Sequence, residues 1–112
     1  MTKLQDIRRL QTLAQLMLDH RLTLLKQAAD AKHISERALA GLSEAQPETQ
    51  ELVGTASNLV GLNYQRWADC RRSELNQKLA LQTYDWLEAR DAARMALGKA
   101  EAISKLTTKL RK

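Results

Sequence analysis

Residues Leu62 to Leu110 read LNYQRWADCRRSELNQKLALQTYDWLEARDAARMALGKAEAISKLTTKL, and their spacing decides the fold. After Leu62 the stretch has one glycine, Gly98, and no proline, and it is rich in Ala, Leu, Glu, Lys, Arg and Gln, which cost least in a helix. Its apolar residues return every three and four positions: Leu75, Leu79, past Gln82 to Trp86, Ala89, Ala93, Ala96, Ala100, Ile103 and, past Thr107, Leu110. A seam repeating every seven residues is that of a helix packed along another helix.

The preceding half supplies the partner. Ile7, Leu10, Ala14, Met17, Leu24, Ala28, Ala31, Ala38 and Leu42 keep heptad spacing, interrupted by Arg21 and Ser35, and Leu4, Leu18, Leu25 and Leu39 widen one flank. Thr2 followed by Gln5 matches a capping box. Gly41 suits a left-handed cap, and Pro47 suits the first turn of a following helix, whose dipole Glu48 and Glu51 would complement. The expected fold is all-α: a two-helix antiparallel coiled-coil hairpin with a longer C-terminal helix. Helix one spans about 3–40, the loop about 41–48 and helix two about 49–110, all in one domain.

Two features of helix two stand apart. Gly54 and Gly61 weaken its start by about 1 kcal/mol each relative to alanine, leaving open whether the helix is continuous there. Val53, Ala56, Val60, Trp67 and Cys70 keep one register and Leu75, Leu79 and Trp86 another, so the register shifts between Trp67 and Leu75. At 1.5 Å per residue, helix one is about 57 Å long and helix two about 90 Å. A turn near Ser43 or Glu44 would leave Glu88 to Lys112 overhanging, its stripe from Ala89 to Leu110 without an intramolecular partner. A loop reaching Gly61 would shorten that overhang to about a dozen residues.

Composition narrows the function. The chain has 112 residues, no phenylalanine and few aromatics, a profile of elongated helical proteins of modest stability. Cys70 is the single cysteine, which excludes an intramolecular disulfide and fits a reducing compartment. There is no apolar run long enough to span a bilayer and no signal-peptide core, so the expected location is cytoplasmic. The formal charge of +5 is concentrated in the second half, where Lys105, Lys109, Arg111 and Lys112 follow one another without an acid. That favours partners presenting acidic surface.

No phosphate loop, HExxH, CxxC or Ser/His/Asp set is present, and His20 and His33 are thirteen apart, off ligand spacing. The expectation is therefore no enzyme, no cofactor, no metal site and no small-molecule substrate. Nucleic acid fits poorly, because a basic-region helix would cluster Arg and Lys ahead of its leucine heptads, whereas here the basic tail follows the seam. Trp67 and Trp86 either plug the seam or anchor an interface, and Arg71 and Arg72 are either solvated or a docking contact.

The text from Trp67 to Leu106 resembles the FliJ/YscO family, the small coiled-coil stalk proteins of flagellar and other type III export ATPases. The matching residues are Trp67, Arg71-Arg72, Leu75-Asn76, Leu79-Ala80, Trp86-Leu87-Glu88-Ala89-Arg90, Ala93-Arg94 and Ala96-Leu97-Gly98-Lys99. Leu97 stands where the family pattern has an aromatic, and the chain is short for the family. The resemblance implies a hairpin whose helix ends insert into the hexameric export ATPase, peripheral to a membrane-bound export apparatus. Its mid-region would touch the export-gate membrane protein and free substrate chaperones. On that basis Trp86, Arg90, Arg94, Lys99, Ile103 and Leu110 are expected to face the ATPase, and Trp67, Arg71, Arg72 and Asn76 to serve the hairpin middle or a second partner. A generic coiled-coil adaptor, homodimerising through the overhang, is the alternative reading; the stalk should be monomeric alone and the adaptor dimeric.

Overall fold

The computed structural model describes residues 2–44 and 55–111, and these form two helices, α1 (Thr2–Glu44) and α2 (Thr55–Arg111), with no strand among them. The fold is all-α, and the C-terminal helix is the longer at 57 residues against 43. The described residues pack as two compact units, each taking a piece of both helices. Unit 1 joins α1 up to Asp30 with α2 from Tyr84 onward; unit 2 runs from Ala31 to Thr83. The start of one helix thus pairs with the end of the other, the antiparallel arrangement of a hairpin.

α1 does not stop at Ala40. It continues through Gly41, whose backbone stays helical, to Glu44. Three further residues outweigh the conformational cost of one glycine because Leu42, two residues from the helix end, is buried. The loop expected at 41–48 is therefore helix as far as residue 44. The expected second start at Pro47 to Thr49, with Glu48, Glu51, Val53 and Gly54, lies outside the described residues. α2 is unbroken from Thr55 through Gly61.

Along α2 the inward residues are those read from the spacing except the last: Leu75, Leu79, Gln82, Trp86, Ala89, Ala93, Ala96, Ala100, Ile103 and Thr107 are all buried or half-buried, whereas Leu110 is exposed. The register shift also exists, but with other residues. Gly61, Tyr64, Ala68 and Arg72 lead into Leu75, with two consecutive steps of four at Tyr64–Ala68–Arg72. Ala68 is buried there, whereas Val60, Trp67 and Cys70 are exposed, so those three do not form the seam.

In α1 most of the expected seam faces inward: of its nine residues only Leu10 and Met17 are exposed, and the expected flank of Leu4, Leu18, Leu25 and Leu39 is buried or half-buried throughout. The row Ile7, Ala14, Ala28, Ser35 and Leu42 is buried or half-buried, and its companion row is Leu4, Gln11, Leu18, Leu25, Lys32 and Leu39. Leu10 and Met17, expected in the seam, are half exposed on its rim. Polar residues complete these rows: Gln11 and Lys32 occupy inward positions, and Ser35, which interrupts the apolar spacing, is 2% exposed.

Ser35 sets the register within unit 2. Its hydroxyl donates to Gln82 Oε1 at 2.6 Å, and seven residues further toward the turn on each helix lie Leu42 and Leu75, both buried. A turn at Ser43–Glu44 would instead bring Ser35 opposite residues near 52. The reversal itself lies outside the described residues, and the overhang expected from Glu88 to Lys112 does not form, because α1 up to Asp30 packs with α2 from Tyr84 onward. In unit 1 the beginning of α1 covers the end of α2: Ala93 is 5% exposed and Thr107 4%, the Thr107 hydroxyl donating to its own helix at the Ile103 carbonyl, 2.9 Å away.

Ser35→Ala removes the donor to Gln82 in a buried seam and should destabilise the protein by about 1–2 kcal/mol, the usual cost of an unsatisfied buried polar group; Ser35→Ala with Gln82→Leu should recover most of it. Urea unfolding followed by circular dichroism measures both. Gly98→Ala should act oppositely, because nothing lies within 4 Å of the added methyl group and alanine favours the helix by roughly 0.8–1 kcal/mol; the same titration checks it.

Candidate partner interface

The residues singled out from sequence fall into two separate clusters. In unit 2, Trp67 is 55% exposed and its ring lies 5.7 Å from that of Tyr64, tilted by 43°. Trp67 is thus a surface aromatic supported by a seam tyrosine, not a plug. Arg71 is exposed and paired with Glu74 at 3.3 Å; Arg72 reaches Asp69 at 3.0 Å from a half-buried position; Asn76 is exposed. Pairs of this kind one turn apart on a solvated helix contribute little, roughly 0.3 kcal/mol each.

In unit 1, Trp86 is half-buried in the seam, with the Arg90 guanidinium 5.3 Å from its ring centroid. A cation over an indole face at this partial exposure stabilises by roughly 0.5–1 kcal/mol and fixes where the guanidinium points. Arg90 also approaches Asp91 at 3.7 Å, while its Nε is buried without a hydrogen-bond partner. Arg94 is exposed one turn further along. Lys99, however, follows Arg90 by nine residues, about two and a half turns, and so faces the other side. Ile103 is a seam residue, and Leu110 is half exposed near the helix end. The six residues expected to face one partner therefore do not share one face: Arg90 and Arg94 go together, Lys99 opposes them, and Trp86 and Ile103 lie between.

The two flanks of the unit 1 seam differ in chemistry. Positions just after the inward rows carry Arg8, Leu22, Arg90, Leu97 and Arg111, with Arg94 beside them, a basic flank. Positions just before an inward row carry Leu10, Met17, Ala92, Lys99 and Leu106. All but Leu106, together with Leu13, Arg21, Met95 and Ala96, border a groove of about 280 Å³ that Ala14 and Ile103 also line. Sequence reading missed this groove because it assigned Leu10 and Met17 to the seam. The available signal was that α1 has more apolar rows than one partner helix can cover.

Beside the groove, Arg21 lines a shallower depression with Asp85, Glu88 and Asp91. Glu88 accepts a hydrogen bond from the Tyr84 hydroxyl at 2.7 Å, which raises the phenol above its ordinary 10.0, and the charge of Glu88 adds to the effect. In unit 2, the hydrogen bond from Lys32 Nζ to Glu36 lowers that carboxyl from its ordinary 4.5, over a distance of 2.6 Å. The lowered value makes the Glu36 contribution complete above about pH 4.5 and lost as pH falls through the folded value.

Among the described residues no group of three or more His, Cys, Asp or Glu side chains could hold a metal ion, and no helix is long and apolar enough to cross a membrane. Comparison with family models, with curated proteins and with solved structures finds no match to this chain. The surface of unit 1 thus carries one flank with Arg94 and with Arg90 over the Trp86 ring, and one apolar flank.

The Tyr84–Glu88 bond is checked by ultraviolet titration in a Tyr64→Phe background. Adding Glu88→Gln should bring the Tyr84 phenol down toward 10.0, since the charged acceptor that favours its protonated form is gone.

Proposed function

We propose that this chain is a non-enzymatic component of a flagellar, type III-type protein-export system, serving as the coiled-coil stalk of the export ATPase ring and as an escort for substrate chaperones. The resemblance of the stretch from Trp67 to Leu106 to the FliJ/YscO family supports this reading, and so does the all-α hairpin with its longer second helix. The observation that carries it is the basic flank of unit 1, where Arg90 is held over Trp86 and Arg94 stands exposed one turn away. Held guanidinium groups suit an acidic partner surface, where complementary charge directs association and register. The unpartnered stripe that an overhang would have offered is not part of the support, because α1 covers it.

Arg90→Glu with Arg94→Glu should weaken binding to the cognate export ATPase at least tenfold and abolish any stimulation of ATP hydrolysis, measured by pull-down and steady-state turnover. Unchanged binding would remove the assignment of this flank. A second reading, a coiled-coil adaptor that pairs with itself, is favoured by one observation, the apolar groove on the other flank.

A further inference from the structure

We infer that the apolar groove of unit 1 is a self-association surface, covered in solution by the same groove of a second copy in a two-fold, four-helix arrangement. The inference goes beyond the export reading and does not rest on it.

Leu10, Leu13, Met17, Met95 and Leu106 are each about half exposed or more on one flank of the same unit, and four of the five border the groove. A contiguous apolar surface rimmed by charge marks a binding face. The charges identify the occupant. Two heptad rows of α2 run along this flank: Asp85, Ala92, Lys99, Leu106 and Glu88, Met95, Ala102, Lys109. Each row begins with an acid and later carries a base, so the flank is acidic at its Asp85–Glu88 end, where Asp91 adds a further acid. It is basic toward Lys99 and Lys109. Arg21 sits among the acids without neutralising all three. The matching rows of α1, Lys3, Leu10, Met17, Leu24 and Asp6, Leu13, His20, Gln27, are close to neutral and apolar in the middle.

A two-fold axis near Ala96 lays α2 antiparallel on its copy. Asp85 then comes opposite Lys109 of the second copy, Lys99 comes beside Met95, Arg21 and Met17 lie nearest the axis, and Leu13 and Leu10 lie further out along the groove. An isologous interface needs a self-complementary patch, and a row with opposite charges at its ends is one. Parallel stacking would instead set acid on acid. A foreign helix would need the same two-ended charge pattern, which this chain already supplies. The Arg90–Arg94 flank stays outside the pair, so a dimer leaves the surface proposed for the export ATPase open. Solution mass alone therefore does not separate the stalk from the adaptor; ATPase binding does.

The test is sedimentation equilibrium on the full chain across about 1–100 µM, with circular dichroism to confirm helicity. The wild type should reach the dimer mass in this range. Met17→Lys with Met95→Lys, both at exposed positions, should weaken dimerisation at least tenfold, while Leu22→Lys with Leu97→Lys on the basic flank should not. Asp85→Lys with Glu88→Lys should weaken it several-fold, and adding Lys99→Glu with Lys109→Glu should restore it. A wild-type monomer at 100 µM would overturn the proposal and leave the groove to a different partner. A dimer that ignores Met17→Lys with Met95→Lys, or one broken equally by Leu22→Lys with Leu97→Lys, would overturn it too. Binding to the export ATPase, measured separately through Arg90 and Arg94, tells failure of this inference from failure of the export reading.

Discussion

A single buried hydrogen bond, from Ser35 to Gln82, fixes how the two helices of unit 2 are aligned. Two long helices with heptad seams can slide by seven residues and still place apolar rows against each other. An alanine-rich seam makes such slips inexpensive, because one small side chain replaces another. A hydroxyl and an amide that must meet in a closed interface remove that freedom, since any slip leaves both without a partner. Leu42 and Leu75 are then level and buried, and the reversal of the chain falls beyond Glu44.

The seam of unit 1 works differently. Ala89, Ala93, Ala96 and Ala100 line α2, and Ala14 faces inward from α1. Small side chains let helix axes approach, and they also limit the apolar area that the seam itself removes from water. Larger side chains on the rim, such as Leu10 and Met17, are left half exposed, while Thr107 can be buried because its hydroxyl bonds to its own helix. The apolar groove is a consequence of this geometry. A narrow seam closes the hairpin, and the surplus leucine and methionine rows become surface.

The two tryptophans illustrate how position decides role. Trp86 lies in the inward row and holds Arg90 at its face, so it serves the seam and a guanidinium at once. Trp67 lies one residue off the inward row occupied by Ala68 and is mostly exposed, its ring resting near Tyr64. Residue type is the same in both. One step of about 100° around the helix separates a core side chain from a surface one. The same angular logic splits the group Trp86, Arg90, Arg94, Lys99, Ile103 and Leu110 over two flanks and the seam.

Much of the fold was legible in the sequence. The helix-forming composition, the unbroken heptad from Leu75 to Thr107, the single break between two long helices and a register change before Leu75 all follow from local spacing, which a helix translates directly into a face. The inward rows of α1 were legible in most of their members, from Ile7, Ala14, Ala28 and Leu42 to Leu4, Leu18, Leu25 and Leu39, but Gln11 and Lys32 within them were not, nor was the exposure of Leu10 and Met17. Hydrophobicity ranks rows by what they would gain on burial, whereas burial also depends on which rows the partner helix can reach. The alignment of the helices was not legible either, since periodicity specifies a face and not an axial position. Only the packed pair decides that, through Ser35 meeting Gln82, and with it the cover over the end of α2 and the sorting of basic and apolar residues onto opposite flanks.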